Sequence, residues 1–251
     1  MEEIKRLEDI FKLILSVDSI EPDFSSGSDI TIPIYEISAE EFLDFAENAI
    51  MAETKEGIVN AISNLKRAID CEMDLFFESI NLKSIFDKNN LKFEKKSKFL
   101  SDIGMFPIQS INKLNLIRNK MEHEYRAPLI ADLYTYYELV WDVVKIIDLH
   151  LELLYTNGEI NMVLKKGSDE YYFMIRHDIE NCGFRIKIKN WTKGADKIEK
   201  QLEICLTNKE SAYDFINAFN FYLLSIQYFD YGNISLYKNK VKKLMKSQGK
   251  I

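Results

Sequence analysis

The sequence predicts an α+β fold, an N-terminal up-and-down helical bundle followed by a small antiparallel β-sheet packed with a helix. Three observations predict it. From Gly57 to Asn81 the apolar residues Ile58, Ile62, Leu65, Ile69, Met73, Phe76 and Ile80 recur at helical spacing without interruption. Beyond Asn157-Gly158 the texture changes to short runs rich in Ile, Val, Phe and Tyr, separated by Gly and Asn. A last aromatic stripe, Phe215, Phe219, Tyr222 and Ile226, returns to helical spacing. With 251 residues, the chain has room for one large domain or two small ones. The change of texture puts the division at residues 1–156 and 157–251.

The first part opens with an amphipathic helix over residues 2–17, with Ile4, Leu7, Phe11 and Ile14 on one side. A looser segment, Asp18 to Pro33, contains the loop-forming Ser25-Ser26-Gly27-Ser28. Ser38-Ala39-Glu40-Glu41 is a capping box, in which the Ser38 hydroxyl and the Glu41 carboxylate satisfy the first backbone N–H groups of a helix reaching about Lys55. The long apolar pattern of residues 57–81 is the spine of the bundle. Asn89-Asn90 interrupts the chain, and Lys95 to Ile103 is a short helix ended by Gly104. Pro107 and Pro128 bracket another helix. A further long one runs from about Leu129 to Tyr155, with Leu133, Tyr136, Tyr137, Val140, Val144, Ile147 and Leu151 inward.

In the second part, Glu159–Leu164, Glu170–His177, Phe184–Asn190 and Lys200–Thr207 read as four antiparallel strands. A helix from Ser211 to about Phe229 is expected to cover one face of that sheet. The tail, with six lysines from Lys238 to Lys250 and no acid, reads as a solvated helix end or frayed tail.

The most informative helix is the one between the prolines. At about 100° per residue, Ile111, Leu114, Ile117, Met121 and Tyr125 make a core stripe. Asn112, Asn115, Asn119, Glu122 and His123 make a second, wholly polar stripe, with Arg118 on its flank. His123 lies roughly 180° from Leu114 on that wheel, which removes the usual explanation of a lone histidine as a core residue. An ordinary solvated face remains, on which Arg118 and Glu122 are an i, i+4 ion pair. The other reading is chemical. An imidazole moves a proton near neutral pH, and a guanidinium holds the charge that develops on a phosphorane. Asn119, at i, i+4 from His123, can orient it.

Arg118-Asn119 followed by three residues and His123, on a helix of an all-helical domain, resembles the HEPN superfamily; Glu124-Tyr125 and Pro128 share its flavour. The resemblance covers about residues 38–155. It implies a four- or five-helix bundle that dimerises, with two motifs facing each other. It also implies metal-independent endoribonuclease activity, with 2′-hydroxyl attack leaving a 2′,3′-cyclic phosphate. In that scheme His123 is the acid/base group, Arg118 stabilises the phosphorane and Asn119 is a positioning residue. The biological setting implied is a toxin or antiviral-defence effector with RNA as substrate and an antitoxin-like regulator as partner. Other members of the superfamily bind RNA, a nucleotide or a protein without cleaving, and a structural dimerisation protein is the blandest alternative.

In the family reading supporting roles fall to Glu122 and to Asp70 or Asp74 of the spine helix, although Asp70, Glu72 and Asp74 read first as a solvated acidic face. Arg176-His177-Asp178 alternates faces along a strand, so the three cannot converge on one site; they read as surface residues near a turn. His150 reads as a packing residue near a helix end. Lys240, Lys242, Lys243 and Lys246 are weak candidates for RNA phosphates. A net charge of −7 argues against non-specific nucleic-acid binding by the whole surface, though not against a local basic groove. Cys71, Cys182 and Cys205 stand far apart, which suggests reduced thiols in a cytoplasmic protein rather than a disulfide framework or a zinc site. No metal, cofactor or membrane span is expected, and no nucleotide-binding loop, zinc-protease or serine-hydrolase signature is present.

Overall fold

The structure is a computed structural model describing residues 4–90, 92–109, 111, 112, 116, 119, 130–192, 199–207 and 211–248. In chain order its elements are α1 (Leu7–Ser16), β1 (Ser19–Ser26), α2 (Ala39–Met51), α3 (Lys55–Ser79), α4 (Lys83–Lys88), α5 (Phe93–Asp102) and α6 (Ile130–Thr156). Then follow β2 (Glu159–Lys166), β3 (Asp169–Asp178), β4 (Gly183–Asn190), β5 (Glu199–Cys205), α7 (Ala212–Tyr231) and α8 (Ile234–Gln248). The fold is α+β. It divides into two compact units, residues 31–152 and residues 1–30 with 153–251.

The first of these is helical. Ser38 caps α2 as its sequence dictates. Its hydroxyl accepts from the Glu41 N–H at 3.1 Å, and its own N–H donates to the Glu41 carboxylate at 2.9 Å. Thr54 caps α3 by accepting from the Gly57 N–H at 2.9 Å. Gly57 is required there, because a Cβ would stand 2.3 Å from the Ala49 carbonyl oxygen of α2. The absence of a side chain lets α2 pack along α3. The predicted spine residues, from Ile58 to Ile80, are all buried. Below them Phe77 gathers Phe86 of α4 and Phe99 of α5, with ring centroids 4.3 and 5.4 Å away. On α6, Leu133, Val140, Val144, Ile147 and Leu151 are buried, whereas Tyr136 and Tyr137 are half-buried.

The second unit is a five-stranded antiparallel sheet in the order β1-β2-β3-β4-β5. Four strands stand where the alternating runs predict them, and the fifth corrects the expectation. Residues 19–26, read from sequence as a loose segment, pair with β2, Ile20 opposite Leu164 and Ser26 opposite Glu159. Pro22 and the serines hide a strand that lies at an edge, where a missing N–H is tolerated. Its end is seated by Gly158, whose N–H donates to the Ser26 carbonyl at 2.6 Å; a Cβ there would stand 2.4 Å from Ser28 Cα.

Alternate residues of the strands, Ile160, Met162, Leu164, Phe173, Ile175, Phe184, Ile186 and Ile188, are buried. They meet α7, where Phe184 lies 5.3 Å from Phe219 and Phe173 lies 6.0 Å from Phe221. Phe11 of α1 packs edge-on against Phe221 at 5.1 Å. The compact units group the chain differently from the division at residue 156. The N-terminal helix belongs with the sheet, because its apolar stripe of Leu7, Ile10, Phe11 and Ile14 is satisfied by C-terminal elements. The tail is not frayed through residue 248 but forms α8, anchored by buried Tyr237 and Val241.

Candidate functional site

On the stretch between Pro107 and Pro128, Ile108, Gln109, Ile111, Asn112, Leu116 and Asn119 are helical. Ile111 is 1% exposed, while Asn112 and Asn119 are exposed. This is the facing that the wheel requires, apolar residue inward and asparagines outward. Leu116, at 60% exposed, also lies outward. Arg118, Glu122 and His123 lie outside the described residues, as do Leu114, Ile117 and Met121.

The acidic residues of α3 separate into two kinds. Asp70 is paired with Lys66 one turn back, and Asp74 is held by Lys96 of α5. Glu72 departs from the solvated face expected of it. It is 6% exposed, and its Oε1 finds no hydrogen-bond partner among the described residues. The helix geometry explains this. Glu72 stands three residues after Ile69 and four before Phe76, on the edge of the buried stripe rather than opposite it. That spacing was available in the sequence and points to a buried carboxyl.

Glu72 lines a cavity of about 350 Å³ within the helical unit. Glu40 of α2, Cys71 of α3, and Lys145 and Asp148 of α6 line it too, while Pro33, Tyr35, Leu75 and Val144 supply its less polar walls. Lys145 is ion-paired with Glu40, and that bond raises the lysine pKa above its ordinary value. Burial, reinforced by the Asp148 carboxylate and opposed by the Lys145 ammonium, pushes Glu72 up to about 7. A carboxyl so placed exchanges a proton near neutrality. Burial and the neighbouring carboxylates push the Cys71 thiol up to about 11, away from the thiolate that nucleophilic chemistry needs. Among the described residues no group of three or more His, Cys, Asp or Glu side chains is placed to hold a metal ion.

The other histidines serve structure. His150 Nδ1 lies 2.7 Å from the Ile146 carbonyl one turn back. His177 is not the surface residue its neighbours suggest. It is 3% exposed, its ring is stacked on Phe184 at 5.0 Å, and Phe219 and Tyr222 close around it. Its neighbour Arg176 points the other way and pairs with Asp29 at 2.7 Å. On that same outer face of the sheet, Tyr172 stacks on Trp191 at 4.9 Å, and Trp191 is 45% exposed. Lys187 and Lys189 flank this pair, each within 4 Å of Glu199. Of the tail lysines, Lys240 donates to Gln227 at 3.0 Å, whereas Lys242, Lys243 and Lys246 are exposed. Among the described residues no helix is long and apolar enough to cross a membrane.

Comparison with protein-family models, with curated proteins and with solved structures finds no match to this chain.

Proposed function

We propose that the protein is a metal-independent endoribonuclease of HEPN type, acting as a homodimer through its helical unit. His123 exchanges the proton with the 2′-hydroxyl or the leaving oxygen, Arg118 stabilises the phosphorane charge, and Asn119 positions the imidazole. The observation that supports this reading is the facing of the motif stretch, with Ile111 buried and Asn112 and Asn119 exposed on the same helical segment. Asn112 and Asn119 are free of the core and available to a substrate. The setting that suits such an enzyme is a cytoplasmic toxin or antiviral effector held in check by an antitoxin-like partner.

The experiment is RNA cleavage by the purified chain in EDTA, beside His123→Ala and Arg118→Ala. The expected result is cleavage to 2′,3′-cyclic phosphate ends by the unaltered protein alone. Absence of cleavage across several RNA classes would sink the proposal. It would favour a second reading, RNA binding without chemistry, for which the stacked Tyr172 and exposed Trp191 beside Lys187 and Lys189 are the specific observation. A Trp191→Ala variant that loses RNA retention on a filter would carry that second reading.

A further inference from the structure

We propose that the cavity around Glu72 is a binding site for a small organic cation, an ammonium or guanidinium head on a short apolar stem. Buried polar atoms in folded proteins are almost always partnered, and the exceptions mark sites that a ligand completes. Glu72 Oε1 is such an exception, and Glu72 is among the residues that line a cavity. Its carboxyl can accept two hydrogen bonds from a guanidinium or one from an ammonium.

The charges around it select the sign of the ligand. Glu40 from α2, Asp148 from α6 and Glu72 from α3 offer three carboxyl groups to one cavity, against the single ammonium of Lys145. That ammonium is already engaged by Glu40. An anion would meet two further carboxylates, whereas a cation would relieve their repulsion with Glu72. A bare metal ion is a poorer fit, since no three of these donors are placed to coordinate one. Leu75, Val144 and Pro33 provide an apolar wall for a stem, and the volume of about 350 Å³ is at the small end of ligand pockets.

A cation binds the ionised form of Glu72, so binding releases the proton that this carboxyl holds near neutrality. The other titratable groups that line the cavity are Glu40, Tyr35, Cys71, Lys145 and Asp148. Tyr35 and Cys71 are pushed up to about 12 and about 11, and they stay uncharged through the range that matters. Affinity is therefore expected to fall by about tenfold for each pH unit below 7 and to level off above it.

The test is calorimetric titration of the full chain at pH 8 with 1-butylguanidinium and 1-butylammonium, with pentanoate as the anionic control. Saturable one-site binding of a cation is expected, with none of pentanoate. About tenfold or greater weakening is expected in Glu72→Gln, which keeps the shape of the side chain. Asp148→Asn, at an exposed position, provides a second variant whose folding is not at risk, and it too is expected to bind more weakly. The proposal is overturned if neither cation binds saturably, if pentanoate binds as well, or if folded Glu72→Gln binds as tightly as the unaltered chain. None of these readouts involves RNA cleavage, so the site stands or falls independently of the nuclease.

Discussion

The phenolic hydroxyl of Tyr228 on α7 donates to the carbonyl oxygen of Ile20 on β1 at 2.6 Å, joining residues 208 apart in sequence. Both residues are 5% exposed. The bond explains why an N-terminal strand without a strong strand signature holds its place, since it clamps the edge of the sheet from the helix behind it. Removing only the hydroxyl, as in Tyr228→Phe, leaves the ring stacked on Tyr237 and strips the buried carbonyl of this donor. The expected cost is about 1–2 kcal/mol in urea unfolding. Faster hydrogen exchange is expected at β1 amides, with exchange in α3 unchanged. Equal loss of protection in β1 and α3 would contradict the local role.

What the sequence reveals depends on how local the signal is. The Ser38/Glu41 box and the stripe from Ile58 to Ile80 are written within a few residues of each other, and they fold as written. Strand β1 is defined by partners more than a hundred residues away, with Pro22 in its middle, so nothing local announces it. His177 illustrates a different limit. Its alternation with Phe173 and Ile175 placed it on the inward face, yet its polarity and its neighbours Arg176 and Asp178 suggested the surface. Glu72 was legible to a wheel that takes the edge of the stripe seriously. Asn119 was read as facing outward and does so, whereas the geometry of Arg118 and His123 lies beyond what the structure describes.

The two faces of the motif stretch make opposite predictions for neighbouring substitutions. Ile111→Ala removes a side chain that is 1% exposed, and a cost of about 2–4 kcal/mol in stability is expected. Asn119→Ala alters an exposed residue, and its effect on stability is expected to stay within about 0.5 kcal/mol. If the endoribonuclease reading is right, Asn119→Ala also lowers the turnover number by about tenfold or more, with KM little changed. Thermal melts and cleavage kinetics on the two variants check this together. A destabilised Asn119→Ala protein would show that the polar stripe is part of the packing rather than of a site.

His177 predicts an acid-side loss of stability. Burial among Phe184, Phe219 and Tyr222 brings it down to about 4, from an ordinary 6.5. The unfolded chain therefore takes up a proton below pH 6.5 while the folded chain refuses it until about pH 4. Its contribution is fully present above 6.5 and is lost as the pH falls through that window, up to about 3 kcal/mol. Nδ1 has no partner among the described residues, so no hydrogen bond at that nitrogen offsets the loss. His177→Phe keeps the stack on Phe184 and has nothing to protonate. The difference in denaturation midpoint between the two proteins is expected to widen steadily from pH 7 to pH 4, with the variant the more stable at the acid end. A constant difference across that range would show that His177 takes up its proton as readily in the folded chain as in the unfolded one.

Glu72 has the opposite sign, and the two residues can be told apart for that reason. Its carboxyl, lifted to about 7 by burial and by Asp148, stays protonated in the folded chain while the unfolded chain ionises from about 4.5 upward. The folded state is favoured below 4.5 and loses that advantage as the pH rises to 7, by up to about 3 kcal/mol. Above 7 both states carry the charge, and the loss is complete. Glu72→Gln removes the titration while preserving the shape, so it is expected to match the unaltered protein near pH 4.5. It should exceed it in stability by about 2–3 kcal/mol at pH 8. Chemical denaturation at the two pH values measures this directly. A variant less stable at pH 8 would mean that the ionised carboxylate makes a favourable contact within the chain itself, and the unpartnered Oε1 would then have to be explained without a ligand. A variant more stable at pH 8 locates the cost of keeping this carboxyl in the cavity wall, the cost that a bound cation is expected to remove.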